Sequence, residues 1–255
     1  MRRQLVSLLA LALLAGACAP YGAPPETGVV GVASYASERA RAFHGGNPPP
    51  GTAMLYVPGE APVALADWRQ VEAPLQPAPA VVYLPACSTP AAPRDHVPFL
   101  QQHGIVVVIP SLRGLGCVDM DESFPAMALE VRDLAEVLGQ VPWLDRDRLF
   151  LMGHSLGADI ATAFDRPGTY AGTIGLAAAC TFGVGERIPT LTVRATEDPV
   201  LAVRRTRCAD LATADAEHLE VEGGDHVLRL TTRPAPNADV VGPKLTAFLG
   251  VDSQS

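Results

Sequence analysis

Between residues 80 and 249, apolar runs alternate with mixed apolar and polar segments in the pattern of strands separated by helices. A short continuous apolar run predicts a strand covered on both faces of a sheet, because such a strand has no polar side. An antiparallel edge strand is predicted earlier in the chain, at residues 53–57 before Pro58-Gly59. Buried strands are predicted at residues 81–84, 105–109, 149–152, 173–179, 190–195 and 218–221.

Helices are predicted in the segments between these strands. Strands that alternate with helices of these lengths imply right-handed crossovers, and so an α/β fold with a mostly parallel sheet covered by helices on both faces. Four apolar residues share one face of a predicted helix that ends near residue 139, at intervals of four, three and four positions: Met127, Val131, Leu134 and Leu138. Further helices are predicted at residues 97–103, directly after residue 155, at 200–211 and at 244–249.

The N-terminal residues have the features of an export signal. Arg2 and Arg3 precede an apolar run at residues 5–14, which is too short to span a bilayer, and small residues follow it up to Cys18. Leu14-Ala15-Gly16-Ala17-Cys18 resembles the lipobox of bacterial lipoproteins, in which the cysteine is acylated. Ordinary signal cleavage is the alternative. We therefore expect a periplasm-facing or outer-membrane-anchored lipoprotein, or else a secreted or periplasmic protein.

Length and composition predict one globular domain behind this signal, since 48% of the 255 residues are hydrophobic. A net charge of −8, with no cluster of basic residues, argues against a nucleic-acid partner. The sequence has no metal-ligand spacing, phosphate-binding glycine loop or internal repeat, so no cofactor is expected. The expected units are a signal at 1–18, a tether rich in Pro, Gly and Ala at 19–28, an α/β domain at 29–250 and a tail at 251–255.

Gly153-His154-Ser155-Leu156-Gly157 lies where an apolar strand meets an amphipathic helix. A serine on so sharp a turn stands clear of the sheet, and the glycines on either side let strand and helix pack closely. The helix dipole and the N–H of Leu156 favour negative charge that develops on a substrate oxygen. The motif therefore predicts Ser155 as a nucleophile and the Leu156 amide as an oxyanion donor.

A serine nucleophile needs a base to take its proton and an acid to orient that base. Asp198 and His226 follow two consecutive predicted strands, in the order that this kind of turn requires, so we predict them as acid and base. Glu197 is the alternative acid, and Asp225 is expected to point away from its neighbour. His154 is expected beneath the turn. His96 is expected in a solvated loop, with a place beside the pocket as the alternative.

From about residue 80 to 249 the chain resembles the dienelactone-hydrolase-like branch of the α/β-hydrolase fold. The resemblance rests on the serine turn, on residues 82–88 and 104–111, and on the segments around Asp198 and His226. It implies an enzyme that cleaves carboxylic esters through an acyl-enzyme, with a small-molecule ester as its substrate. Dienelactone hydrolases proper have a cysteine nucleophile, so the serine indicates general esters.

Two details of the resemblance concern the pocket. Relatives carry His-Gly where this chain has Pro85-Ala86, so we assign the first oxyanion donor to the amide of Cys87, with Ser88 as the alternative. This departure also leaves open a different class of function, a non-catalytic surface lipoprotein that binds a ligand in the same cleft. In this fold a lid is usually inserted after the strand that is predicted here at 173–179. In this chain only residues 180–188 separate that strand from the next one, which is too few for a helical lid. We therefore expect an uncapped site for small or medium acyl groups.

Four cysteines remain besides Cys18, and in an exported chain pairing is the default. Cys87 and Cys117 follow two consecutive parallel strands, at the same end of the sheet. Cys180 follows a later strand, and Cys208 lies on the helix expected to pack nearby. Of the three connectivities, proximity favours Cys87–Cys117 and Cys180–Cys208. A free thiol at Cys87 is the alternative to a bridge that would hold the oxyanion loop.

Overall fold

A computed structural model describes residues 52–86, 91–112, 120–203, 208–211 and 213–251. The predicted signal and tether lie outside the described residues, as do residues 252–255 of the predicted tail and Cys18, Cys87, Ser88 and Cys117. The expectations attached to them stay predictions. Within the part of the chain that is described, no helix is both long enough and apolar enough to cross a bilayer.

In the described residues, eight strands form one sheet in the order β2-β1-β4-β3-β5-β6-β7-β8. β1 pairs antiparallel with β2 and β4, and every other neighbouring pair is parallel. The prediction of a mostly parallel sheet with antiparallel strands at one edge is confirmed. The strands are β1 Thr52–Tyr56, β2 Val63–Ala64, β3 Ala78–Leu84, β4 Val106–Ser111, β5 Leu144–His154, β6 Gly172–Leu176, β7 Thr190–Ala195 and β8 Ala216–Val221.

Helices cover both faces of this sheet. They are α1 Ala91–Gln102, α2 Met120–Leu138, α3 Leu156–Ala163 and α4 Ala238–Phe248. Alternate residues of the central strands face opposite sides, as the pleat of a strand requires. Val82 and Leu84 of β3 join the core that contains α2 and α3, whereas Val81 and Tyr83 join the core that contains α1 and α4. These two cores account for the unbroken apolar runs in the sequence.

Helices α1 and α4 begin earlier than predicted, because proline residues obscured their starts. Pro93 lies in the first turn of α1, where the missing N–H would have had no partner in the helix. Pro98 lies inside the same helix, and Pro243 lies inside α4. The earlier start of α1 places His96 on a buried helical face. The expectation that His96 lies in a solvated loop is therefore wrong.

The structure also corrects two predicted elements in the C-terminal half of the chain, strand β6 and the helix predicted after β7. Strand β6 ends at Leu176 instead of residue 179, because Ala177 has φ 53°, outside the strand region. The helix predicted at residues 200–211 is replaced, in the described residues, by two short 3-10 segments, Leu201–Val203 and Cys208–Leu211. Tertiary contacts override helix propensity here, since a disulfide holds the second segment.

That disulfide joins Cys180, in the loop after β6, to Cys208, with Cα atoms 5.2 Å apart. This is one of the two predicted pairs. It closes a loop with a sequence separation of 28 residues. In the chain-entropy model, such a loop contributes about 3.5 kcal/mol to the free energy of unfolding.

Candidate active site

Ser155 occupies a strained turn between β5 and α3, with φ 54° and ψ −116°. A Cβ on Gly153 would overlap the carbonyl oxygen of Gly157, and a Cβ on Gly157 would overlap the carbonyl oxygen of Leu84 in β3. Only glycine fits at either position, so the two glycines let the strand run directly into the helix. The backbone of Ser155 is also held by a 2.8 Å hydrogen bond from its N–H to the carbonyl oxygen of Leu176.

The imidazole of His226 lies between Ser155 and Asp198. His226 Nε2 is 2.8 Å from Ser155 Oγ, and His226 Nδ1 is 2.7 Å from Asp198 Oδ2. An ionised carboxylate only accepts hydrogen bonds, so the Nδ1–H donates to Asp198 and Nε2 is left as the acceptor for the serine hydroxyl. The structure thus brings the three predicted residues into one hydrogen-bonded chain.

Asp198 is held in place by the turn that follows β7. Its Oδ1 accepts hydrogen bonds from the N–H groups of Val200 and Leu201, at 2.8 and 3.1 Å. Burial alone would raise the pKa of this carboxyl, but the hydrogen bond from His226 and these backbone donors outweigh it, and the pKa is lowered. Glu197, the alternative acid, is exposed. The structure therefore places Asp198, and not its neighbour, against the imidazole.

The N–H of Leu156 is available for an oxyanion because Leu156 is the first residue of α3, where an amide has no acceptor within the helix. β3 runs parallel to β5, with Leu84 opposite Gly153, so the segment that continues from β3 starts beside the serine turn. The predicted donor at Cys87 and its alternative Ser88 lie outside the described residues.

Two buried histidines contact the segment that carries His226. His154 Nε2 is 2.7 Å from the carbonyl oxygen of His226, and His96 Nε2 is 2.9 Å from that of Val227. The hydroxyl of Tyr83 lies 2.9 Å from His96 Nδ1. Burial lowers the pKa of both rings, and the proximity of other histidines contributes to bringing that of His154 to about 3. The expected place of His154, beneath the turn, agrees with this contact.

Asp95, on α1, is a further buried residue that sequence reasoning missed. Its carboxylate accepts hydrogen bonds from the N–H groups of Leu230, Thr231 and Thr232. Burial would raise the pKa of this carboxyl, but the backbone donors outweigh it and the pKa is lowered. Its partners lie about 135 positions away in sequence, so no local pattern could reveal the contact.

Asp225 directs its carboxylate away from the imidazole. Its Oδ1 accepts hydrogen bonds from the N–H groups of Val227 and Leu228, and its Oδ2 accepts one from Arg229. The residue therefore shapes the turn after His226 and does not join the hydrogen-bonded chain of the site. Among the described residues, no cluster of His, Cys, Asp or Glu is suited to hold a metal ion.

Asp159 connects helix α3 to the disulfide loop. Its Oδ1 accepts hydrogen bonds from the N–H groups of Ala179 and Cys180, both at 2.8 Å, and its Oδ2 accepts one from the hydroxyl of Thr181. Because Asp159 lies one turn after Ser155, the serine turn and the disulfide loop are held together. Sequence reasoning missed this residue, because aspartate is common in the first turn of a helix, where the helix dipole favours a negative charge.

No family model and no curated protein matches the sequence. Solved structures match the fold. The propionate-bound esterase Est2 of the planctomycete Thermogutta terrifontis is 13% identical with a TM-score of 0.55, over 88% of this chain and 94% of that one. A protein of Klebsiella pneumoniae assigned as a dienelactone hydrolase is 15% identical with a TM-score of 0.54, over 78% and 92%. The chain has the α/β-hydrolase fold, as predicted.

Proposed function

We propose that this protein is a serine hydrolase that cleaves carboxylic esters through an acyl-enzyme. The observation that carries the proposal is the hydrogen-bonded chain from Ser155 Oγ through His226 to Asp198, on a strained turn at the start of a helix. A serine in such a chain is activated, because a base is in place to take its proton as it attacks. The esterases among the structural neighbours agree with this chemistry through the fold that they share.

In the first half-reaction, Ser155 Oγ attacks the carbonyl carbon of the ester while its proton passes to His226 Nε2. The imidazolium that forms is stabilised by the carboxylate of Asp198, which accepts the Nδ1–H throughout. The carbonyl oxygen becomes an oxyanion, and the N–H of Leu156 and the N-terminal end of α3 stabilise it. His226 then gives the proton to the departing alcohol, which leaves an acyl-serine.

In the second half-reaction, His226 takes a proton from water, and the hydroxide attacks the acyl carbon. The bond to Ser155 Oγ breaks, the serine regains the proton from His226, and the carboxylic acid leaves. We assign the first oxyanion donor to the backbone N–H of Cys87, with that of Ser88 as the alternative. The position of Cys87 supports this assignment, since it directly follows Pro85-Ala86, the pair that stands where relatives carry His-Gly.

Labelling by a fluorophosphonate probe tests the proposal, because only a base-activated serine reacts quickly with it. We expect covalent labelling at Ser155 and loss of about 10⁶ in kcat for Ser155→Ala and His226→Ala. Asp198→Asn should lower kcat by about 10⁴. Glu197→Gln is the matched control: it removes the neighbouring, exposed carboxylate and should leave kcat unchanged. Folded protein that resists labelling would contradict the hydrolase and favour a non-catalytic ligand-binding protein.

The acyl specificity follows from the connection between β6 and β7. This connection, at residues 177–189, holds the disulfide loop and includes no helix, so nothing in it can form a helical lid. We expect nitrophenyl acetate and butyrate to be cleaved with a higher kcat/KM than the palmitate ester, since an open site offers little apolar surface to a long chain. A series of esters from acetate to palmitate measures this, and a preference for the longest chain without detergent would contradict it.

A further inference from the structure

We infer that His154 and His96 are positioning residues that hold the backbone on which the catalytic base is carried, by donating hydrogen bonds to two consecutive carbonyl oxygens, those of His226 and Val227. The inference rests on the proposed function, because it concerns how the imidazole of His226 is kept between its two partners. Neither histidine touches the reacting atoms in this scheme.

His154 is the last residue of β5 and the chain neighbour of Ser155. Its ring is fully buried, and its Nε2 lies 2.7 Å from the carbonyl oxygen of His226. A carbonyl oxygen only accepts, so Nε2 carries the proton and donates. Nucleophile and base are thus connected twice. His226 Nε2 contacts Ser155 Oγ directly, and the backbone carbonyl of His226 accepts a hydrogen bond from His154, the residue next to Ser155.

His96 makes the second tie, from helix α1. His96 Nε2 lies 2.9 Å from the carbonyl oxygen of Val227 and 3.3 Å from that of Leu228. Because carbonyl oxygens only accept, the ring proton is on Nε2, and Nδ1 accepts a hydrogen bond from the hydroxyl of Tyr83 at 2.9 Å. The ring is also fully buried, so water cannot replace this donor.

The segment needs such support because its backbone is strained. Leu228 has φ 54°, in the left-handed region that a branched, buried leucine rarely adopts. A residue keeps such a conformation only where the surrounding structure over-determines it. Two carbonyl acceptors immediately before Leu228 are tied by buried donors, which is the kind of restraint that the strained backbone requires.

Neutral imidazoles suit this task because His226 becomes positively charged during the proposed reaction. The rings of His154 and His226 are edge-to-face with centroids 5.1 Å apart, so a second positive charge would oppose the imidazolium. Burial, with His96 next in effect, brings the pKa of His154 to about 3. A lysine or arginine donor at this position would bring the charge that the buried histidine avoids.

Paired substitutions separate the donor from the volume of the ring. His154→Leu keeps a side chain of similar volume but removes the donor, whereas His154→Gln keeps an N–H donor near the position of Nε2. We expect His154→Leu to lower kcat about 10- to 100-fold with KM changed less than about twofold, since a displaced base costs turnover more than binding. His154→Gln should recover most of kcat. His96→Leu should act in the same direction.

His103→Leu is the matched control. His103 follows α1 directly, and its Nδ1 contacts the carbonyl oxygen of Phe99 in the same helix, away from the His226 segment. It should leave kcat unchanged. Equal loss of kcat in the Leu and Gln variants of His154, with folded protein in both, would overturn the inference, because ring volume and not the donor would then matter.

Proton NMR gives a readout that does not depend on turnover. The proton between His226 Nδ1 and Asp198 should resonate far downfield in the wild type, and it should shift upfield or broaden in His154→Leu but not in His103→Leu. Unchanged kcat and an unchanged resonance in His154→Leu would overturn the inference. If the wild type is neither labelled by fluorophosphonate nor active, the proposed function fails, while the resonance still tests the backbone tie. Should His154→Leu not fold, His154→Gln and His154→Asn decide, since asparagine cannot reach the carbonyl.

Discussion

The serine turn and the segment that carries His226 are both strained, but they are held in different ways. At the serine turn the main restraint is steric: Gly153 and Gly157 allow close backbone contacts, one within the turn and one with β3, that any side chain would block. The His226 segment is held by hydrogen bonds with residues distant in sequence: His154 and His96 donate to its carbonyl oxygens, and Asp95 accepts from its N–H groups. The serine turn depends on the absence of side chains at two positions of its own motif, whereas a loop at the end of a sheet takes its shape from the groups that pack against it.

This contrast has a physical consequence for substitutions. Steric restraints fail when volume is added, and hydrogen-bonded restraints fail when a donor or acceptor is removed. The two regions should therefore respond to opposite kinds of change.

The largest effect is expected from Gly153→Ala at the serine turn. The new Cβ would overlap the backbone of Gly157, which cannot move without separating α3 from β5. We expect the free energy of unfolding to fall by at least about 3 kcal/mol, with loss of labelling at Ser155. Urea denaturation followed by circular dichroism measures the first quantity.

Gly242→Ala is the control for this change. Gly242 lies inside α4, where a Cβ would meet only the ring of Phe99, at 3.3 Å. Alanine stabilises a helix interior by about 1 kcal/mol relative to glycine, which offsets a small adjustment of the ring. Stability close to that of the wild type is expected. A comparable loss in both variants would mean that the serine turn has no special steric requirement.

A smaller effect is expected from Asp95→Asn, which acts on the other region. The amide NH₂ would face backbone N–H groups at Leu230 to Thr232 that now donate to a carboxylate. Leaving a buried donor unsatisfied costs about 1–3 kcal/mol, so we expect the free energy of unfolding to fall by about that amount. kcat should also fall, because the same segment carries His226.

The effect of Asp95→Asn should depend on pH. The pKa of Asp95 in the folded protein lies below its ordinary value of 3.8, so the ionised carboxylate stabilises the fold fully above that value. This stabilisation is lost as the pH falls through the lower, folded pKa. The difference in unfolding free energy between wild type and variant should therefore narrow below about pH 4. A difference that stays constant down to pH 2 would show that the charge of Asp95 is not what holds the segment.

Arg229→Ala should have the smallest effect and serves as the control within the same segment. Arg229 Nε contacts Asp225 Oδ2 at 2.9 Å, but the side chains are 31% and 49% exposed. Water screens such a pair, so we expect a loss below about 1 kcal/mol and little change in kcat. This would show that the buried contacts, and not the exposed ion pair, hold the segment.

Much of the fold was predictable because its signals are local. Strands β4 and β7 lie within two residues of where they were predicted, and β3 begins three residues earlier than predicted. A strand buried on both faces is apolar along its whole length, so its composition reveals it. The prediction of a helix at 200–211 was wrong for the described residues 201–203 and 208–211, which follow the turn at Asp198 and the disulfide at Cys208, respectively. Prolines inside α1 concealed its start and, with it, the burial of His96.

The sequence by itself determined the serine turn, since glycine, serine and the flanking apolar runs specify strand, turn and helix within thirteen residues, 149–161. It also indicated that Ser155, Asp198 and His226 lie close together. Each follows a predicted parallel strand, and parallel strands bring the residues that follow them to one edge of the sheet. Only the tertiary structure decided which buried groups hold that edge together. Asp95 and His96 contact residues more than 130 positions away, and hydrogen bonds over such separations leave no period or motif in the chain.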